Sequence, residues 1–214
     1  MHSLMRSRAV RAVTAPAAVG LLAVAAVNAS AAIASAGSSL TLTYPVHGST
    51  HLKAPNTTVS LGPGTLRATL NLSNGALTAS LSLPPAKVSF KEFGLIPVSA
   101  TTDFVQDGAT TGKVNPNTGA VRTTSKLILK VTSMSVAGLP VFVGNSCESA
   151  TPAVITLTSQ HGFNPITGGK LAGTYTVPPF ANCGLGGLLT PLINLSIAGP
   201  GNGITLILGA GKAT

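Results

Sequence analysis

Alternating apolar and polar positions are the most regular feature of this chain. Between Thr65 and Leu72 every second residue is leucine or alanine, and the same alternation returns between Leu77 and Leu83. The intervening Ser73-Asn-Gly-Ala76 contains an Asn-Gly pair, the strongest short-range signal for a β-hairpin. The two segments therefore predict paired strands that each turn one face toward a core.

The same alternation extends through much of the chain. A longer candidate strand runs from Lys126 to Val136, with Leu127, Leu129 and Val131 on one face. Threonine, serine and valine fill most other positions, as is typical of half-buried pleated surfaces. The predicted fold class is all-β, an antiparallel sandwich or barrel of about a dozen short strands.

Three segments between predicted strands resemble one another: Asn71-Leu-Ser-Asn-Gly75, Asn115-Pro-Asn-Thr-Gly119 and Asn164-Pro-Ile-Thr-Gly168. In each, the asparagine can bond its own backbone and the glycine can adopt a positive φ. The first and third are followed by strands that end in Pro-Pro, at Pro84-Pro85 and Pro178-Pro179. This similarity indicates either a duplicated hairpin unit or two hairpins with the same turn chemistry.

One short helix is predicted near residues 190–198. Thr190 can serve as its N-cap, Pro191 fits the first helical position, and Gly199-Pro200 provides a stop. The residues between them are apolar almost all round, so the helix would be buried and could close one end of the β-structure; a strand is the alternative. We expect Gly201-Asn-Gly203 to turn the chain into a last strand.

The beginning of the chain indicates export. A charged start with Arg6, Arg8 and Arg11 precedes a small-residue apolar run, and Ala34-Ser-Ala36 offers side chains that a signal peptidase accepts. The run from Thr14 to Val27 is shorter than the roughly 20 residues that a membrane-spanning helix requires. We therefore predict a cleaved signal peptide, with Ala29-Ser-Ala31 as a second possible cleavage site.

The predicted organisation follows from this cleavage. Residues 1–36 form the signal peptide and residues 37–214 form a single β-rich domain, secreted to the medium or held in the cell envelope. No membrane span is expected after cleavage.

Charge limits the classes of partner. The domain carries ten lysine and arginine residues against four aspartate and glutamate residues, a net charge of +6 with histidine neutral. The cations are spread singly, whereas a nucleic-acid groove requires clustered cations with stacking aromatics. We expect no nucleic-acid partner. A mild attraction to anionic polymers or lipid headgroups is compatible with this charge, although a solubilising surface is the simpler interpretation.

The two cysteines, Cys147 and Cys183, are the only ones in the chain. In an exported protein an even count indicates one disulfide, and a loop of this length is worth about 3 to 4 kcal/mol in the chain-entropy model. A nucleophile or metal thiolate would require a partner histidine and a reducing compartment.

Other candidate chemistry is sparse. His47 and His51 are four residues apart, the spacing at which two imidazoles on a helix can bind the same metal ion. The neighbouring proline and glycine instead favour a solvated pair in a loop. Asp103 and Asp107 on a strand would lie about 13 Å apart, too far for a glycosidase carboxylate pair. His161 is isolated in the sequence.

No catalytic residue, cofactor site or metal site is predicted. The domain contains neither a Gly-x-Ser-x-Gly nor a Ser-x-x-Lys motif, and its few carboxylates give little material for acid-base chemistry. The few aromatic residues disfavour a sugar-binding face, and the six phenylalanines are expected to anchor the core.

Five segments, in their order along the chain, are similar to a group of secreted actinobacterial proteins of unknown function. They are Leu61-Gly-Pro-Gly-Thr-Leu66, Leu83-Pro-Pro-Ala86 through Phe93-Gly94 to Thr101-Thr102, Val143-Gly-Asn-Ser-Cys147, Pro178-Pro-Phe180 to Cys183-Gly184, and Gly199-Pro-Gly-Asn202. The resemblance spans nearly all of the domain. It implies a β-rich extracellular or envelope domain with a Cys147–Cys183 bridge, and it supplies no activity, cofactor or catalytic residue.

Three functions are compatible with these observations. The leading hypothesis is an exported, non-catalytic domain that acts by binding or by structural contribution, with an unknown envelope component or an apolar ligand as partner. The alternative is a carrier of a lipid or another apolar small molecule, which an apolar cavity of roughly 300 Å³ or more would favour. A hydrolase is the third and least supported hypothesis.

Overall fold

A computed structural model describes residues 38–214, and the predicted signal peptide lies outside these described residues. Their strands are β1 (Ser39–Leu52), β2 (Thr57–Asn71), β3 (Ala76–Ser82), β4 (Ala86–Glu92), β5 (Ile96–Gln106), β6 (Thr110–Val114), β7 (Val121–Val136), β8 (Leu139–Val141), β9 (Glu148–Ser149), β10 (Ala153–Ser159), β11 (Gly169–Val177), β12 (Phe180–Ala181), β13 (Gly199–Leu208) and β14 (Lys212–Ala213). A 3₁₀ turn at Leu185–Gly187 precedes the helix α1 (Thr190–Ile197). The predicted all-β class is confirmed, although β1, β2 and β7, with 14, 15 and 16 residues, are longer than expected.

Eight of these strands close into an antiparallel barrel. Their hydrogen-bonded order is β10-β11-β13-β1-β2-β3-β6-β7, and β7 pairs in turn with β10. Closure pairs strands that would otherwise be exposed edges of the sheet. Of the two predicted architectures, the barrel is therefore the one that forms.

The hairpin of β4 and β5 extends the barrel wall along the second half of β7. β5 pairs with β7 from Val98 opposite Val136 to Gln106 opposite Leu127, and β6 continues along the first half of β7. Where β5 ends, the side chain of Gln106 bonds to β3, accepting a hydrogen bond from the Leu81 amide at 2.8 Å. The amide side chain thus replaces main-chain pairing at the break between β5 and β6.

The three similar Asn-Gly turns connect β2 to β3, β6 to β7 and β10 to β11, all at one end of the barrel, which we call the turn end. In each turn the asparagine side chain accepts a hydrogen bond from the backbone amide two residues on, at 2.9, 2.9 and 2.7 Å. The closing glycines have φ values of 68°, 69° and 84°. The predicted turn chemistry is confirmed, and it accounts for the similarity equally well with or without duplication.

The opposite end of the barrel, called the helix end, carries α1 and the disulfide. Within α1, Ile193 is buried and Ile197 packs against the core. Cys147 and Cys183 are disulfide-bonded with their Cα atoms 4.3 Å apart, and both are fully buried. The predicted helix and the predicted bridge are both confirmed, and the helix closes this end of the barrel. The prediction that the helix is buried all round is wrong, because Leu195 on its outer side is 67% exposed.

Two other local predictions at the helix end are also wrong. Thr190 does not cap α1, since the N-cap is Leu189 without a side-chain bond; the Thr190 hydroxyl instead accepts a hydrogen bond from the Cys183 amide at 3.0 Å. The segment around Asn202 is not a turn. It belongs to β13, because β11 continues its ladder through Asn202 to Gly199 and β1 pairs as far as Gly203.

Candidate functional site

The barrel interior holds a row of three small apolar cavities. From the turn end to the helix end their volumes are about 80, 30 and 60 Å³. Leu81 and Leu157 border both the first and the second cavity, and Phe104 and Leu129 border both the second and the third. Each cavity is smaller than the roughly 300 Å³ at which small-molecule pockets begin. The interior is therefore closer to a packed core than to a hollow carrier.

Two pairs of hydroxyl groups are hydrogen-bonded inside the barrel. The Tyr175 hydroxyl lies 2.8 Å from the Thr50 hydroxyl, which also bonds to the Gly203 carbonyl at 2.9 Å. Burial raises the pKa of Tyr175, and its hydrogen bond to Thr50 opposes this shift. Near the first cavity, the hydroxyls of Thr110 and Ser125 are 2.7 Å apart. These groups contribute to wall stability and offer little to a polar ligand.

The loop between β10 and β11 covers the first cavity at the turn end. Phe163, Pro165 and Ile166 from this loop line the cavity. The Tyr44 hydroxyl donates a hydrogen bond to the Pro165 carbonyl at 2.5 Å, and the Gly211 amide donates one to the Ile166 carbonyl at 2.8 Å. The cover is held from two sides, by β1 and by the segment between β13 and β14.

An open groove lies on the outer wall where β10 and β11 diverge. The two strands pair only at Thr158 and Ser159, and the groove between their other halves has a volume of about 550 Å³. Its lining consists mainly of threonine and proline, with Tyr175 on its inner side. It contains no carboxylate, lysine, arginine, histidine or cysteine, and thus offers little for acid-base or metal chemistry.

The most distinctive surface feature is a set of exposed apolar side chains at the helix end. Seven leucine and phenylalanine residues are each 64–80% exposed, whereas the other large apolar side chains exposed among residues 38–214 reach only 41–55%. We call these seven the helix-end rim: Phe93, Leu95, Leu139, Phe142, Leu185, Leu188 and Leu195. Large apolar side chains that are exposed together at one end of a fold are a candidate interaction surface.

Three segments present the rim, and hydrogen bonds join them. The β4–β5 turn carries Phe93 and Leu95, the β8 region carries Leu139 and Phe142, and the third segment runs from the 3₁₀ turn into α1. The Ala137 amide donates to the Pro97 carbonyl at 2.8 Å and links the first two segments. The Gly184 amide donates to the Val143 carbonyl at 2.7 Å and links the second to the third.

Charge is absent from two of these three segments. Residues 131–147 and 171–211 contain no aspartate, glutamate, lysine, arginine or histidine. Exposed lysines flank the rim instead: Lys87 and Lys91 on β4 and Lys53 in the β1–β2 turn. Two carboxylates lie there as well: Glu92 at the end of β4, and the exposed Glu148, which directly follows the second segment and lies opposite Lys130 of β7. The helix end thus combines an uncharged apolar rim with a weakly cationic border.

The residues considered for chemistry in the sequence do not converge. His47 and His51 lie on β1, not in a loop, and both are exposed. Asp103 lies on β5 opposite Lys130 of β7, and His161 lies exposed in the loop at the turn end. Within residues 38–214 no three histidine, cysteine, aspartate or glutamate side chains are grouped closely enough to hold a metal ion.

Sequence reasoning missed the rim because it assigned the phenylalanines to the core. Phe180 is buried, but Phe93 and Phe142 are among the most exposed apolar residues described. Each has a glycine within a few positions, in Phe93-Gly-Leu and Gly-Leu-Pro-Val-Phe142. Apolar residues next to turn glycines are the signal that could have located this surface.

Comparison with protein-family models, with curated proteins and with solved structures gives no match for this chain. The resemblance to secreted actinobacterial proteins therefore stays a prediction. In the described part of the chain, no helix has the length and apolar character needed to cross a bilayer.

Proposed function

We propose that this protein is an exported, non-catalytic β-barrel domain that binds a component of the cell envelope through its helix-end rim. The observation that carries the proposal is the concentration of the seven most exposed large apolar side chains at one end of the barrel. A solvent-exposed surface of this kind is costly to maintain, and burial against a partner recovers roughly 25 cal/mol per Å² of apolar area. Binding, rather than chemistry, is the role that this surface supports.

Export and the disulfide support the same proposal. The signal-like first 36 residues would send the chain to an oxidising compartment, where the Cys147–Cys183 bond persists. The bond lies beside the segments that present Phe142 and Leu185. It would hold the binding face in shape outside the cell.

Fractionation tests the proposal. The purified protein is mixed with envelope fragments of the producing cells and pelleted, together with a rim variant, Leu139→Ser/Leu185→Ser/Leu188→Ser. A matched variant, Leu72→Ser/Val105→Ser/Val154→Ser, removes three exposed apolar side chains elsewhere. We expect the wild type and the matched variant to pellet and the rim variant to stay in the supernatant. Equal behaviour of all three proteins would overturn the proposal.

The second candidate function is a carrier of narrow apolar molecules such as acyl chains. It is favoured by the three cavities that lie in a row along the barrel interior. The cavities would have to merge before an acyl chain could enter, and the covering loop held by Tyr44 would have to move. Mass spectrometry of the protein purified from its own medium tests this function. A stoichiometric apolar ligand would support the carrier, and its absence would leave the rim as the binding surface.

A further inference from the structure

We propose that the partner of the helix-end rim is a lipid bilayer surface that contains anionic headgroups, into which the rim inserts. This inference rests on the proposed function and names the chemistry of its partner. A second copy of this chain and an envelope protein are the competing occupants, and the test below separates them.

The composition of the rim suits the apolar layer just below the headgroups. Leucine and phenylalanine side chains at this depth replace contact with water by contact with acyl chains, as they do on interfacial helices. An inserted surface must carry few charges, because a charged group is costly to move into the hydrocarbon. Residues 131–147 and 171–211, which present five of the seven rim side chains, contain no charged residue.

The backbone of the rim is also compatible with insertion. A lipid-exposed loop must satisfy its own N–H and C=O groups if it goes deep, so short turns that enter only the interface are favoured. The rim is made of a hairpin turn after β4, a tight turn before β8, and a helical segment whose amides bond internally, such as Ile193 to the Leu189 carbonyl at 3.0 Å. These tips suit shallow insertion.

Charge favours an anionic lipid surface over self-association. Residues 38–214 carry ten lysine and arginine residues against four carboxylates, so two copies meeting end to end would repel each other. The exposed Lys87, Lys91 and Lys53 border the rim on the side of β4 and the β1–β2 turn. Such lysines attract anionic headgroups over about a Debye length.

Vesicle cosedimentation tests the inference. The wild type, the rim variant and the matched variant are each mixed with phosphatidylcholine vesicles and with vesicles that also contain phosphatidylglycerol. We expect the wild type and the matched variant to bind the anionic vesicles, and the rim variant to bind at least about tenfold more weakly, a loss of about 1.4 kcal/mol. A Lys87→Gln/Lys91→Gln variant should lose most of its preference for the anionic vesicles. Circular dichroism melting confirms that all variants are folded.

The other outcomes separate this inference from the proposed function. If no protein binds vesicles while the rim still governs pelleting with envelope fragments, the lipid partner is wrong and the proposed function stands. If light scattering shows a dimer that the rim variant abolishes and vesicles are not bound, the rim is a self-association surface. Unchanged vesicle binding by the rim variant overturns the inference directly. If neither vesicles nor envelope fragments bind, both proposals fail.

Discussion

The backbone amide of Gly184 donates a hydrogen bond to the carbonyl oxygen of Val143 at 2.7 Å. Gly184 follows Cys183 directly, and Val143 lies four residues before Cys147, so this bond and the disulfide together fix one segment of the rim against another. Leu185 on one side and Phe142 on the other are held in place by a buried covalent link. We therefore expect the order of these two segments to depend on the disulfide.

Removal of the disulfide should cost both stability and rim order. The bond closes a loop with a sequence separation of 36, and a Cys147→Ala/Cys183→Ala variant should lose about 3 to 4 kcal/mol of unfolding free energy in urea. Hydrogen exchange at Gly184 to Leu188 should accelerate as well. Wild-type protein treated with a reductant serves as the control and should behave like the variant. Equal urea midpoints for the oxidised protein and the variant would contradict this role.

Asn202 should be the most costly polar side chain to remove from β13. It is 1% exposed, accepts a hydrogen bond from the Lys53 amide at 2.9 Å and donates one to the Gly199 carbonyl at 2.8 Å. Asn202→Ala removes both hydrogen bonds, and an intramolecular hydrogen bond of this kind contributes about 0.5 to 1.5 kcal/mol to stability. Chemical denaturation measures the loss. Thr205→Ala, on the same strand, is the comparison, and an equal effect of the two substitutions would argue against the role of Asn202.

Tyr175 should make the barrel less stable at high pH. Burial raises the pKa of Tyr175 above its ordinary value of 10.0, so folding favours the neutral phenol. The contribution is present below pH 10.0 and is lost as the pH rises through the folded pKa. The unfolding free energy of the wild type should therefore fall more steeply above this pH than that of Tyr175→Phe.

An absorbance titration supplies the direct check on Tyr175. The chain has two tyrosines, so a Tyr44→Phe variant leaves Tyr175 as the only source of phenolate absorbance. The phenolate should form at higher pH in the folded protein than in urea. Coincident titration curves in the two states would show that burial does not perturb this group.

Local features of the fold were predictable from sequence because their causes are local. The Leu66 to Leu83 hairpin follows from period-two alternation around Asn74-Gly75, and the asparagine turns follow from side chains that bond their own backbone. The disulfide needed only a count of two cysteines behind a signal-like segment. Each of these predictions depends either on residues that are close in sequence or, for the disulfide, on a count of cysteines that does not depend on where they lie.

The remaining features depend on residues that are distant in sequence. Closure into a barrel rests on pairing of β7 with β10, for which alternation gives no register. Asn202 is buried only because the ends of β1 and β11 lie beside its segment. Gln106 forms its hydrogen bond only because β3 lies next to its side chain. Phe93, Phe142 and the buried Phe180 carry the same side chain, so hydropathy alone could not distinguish them.

A tryptophan reporter tests most directly that the helix end, and not the turn end, meets the lipid surface. The chain contains no tryptophan, so Phe142→Trp and Leu72→Trp each place a single fluorophore at an exposed apolar position, one at each end of the barrel. On addition of vesicles that contain phosphatidylglycerol, the emission of Phe142→Trp should shift to shorter wavelength as the indole leaves water, and that of Leu72→Trp should not move. An unshifted Phe142→Trp spectrum, or equal shifts at the two ends, would contradict the account.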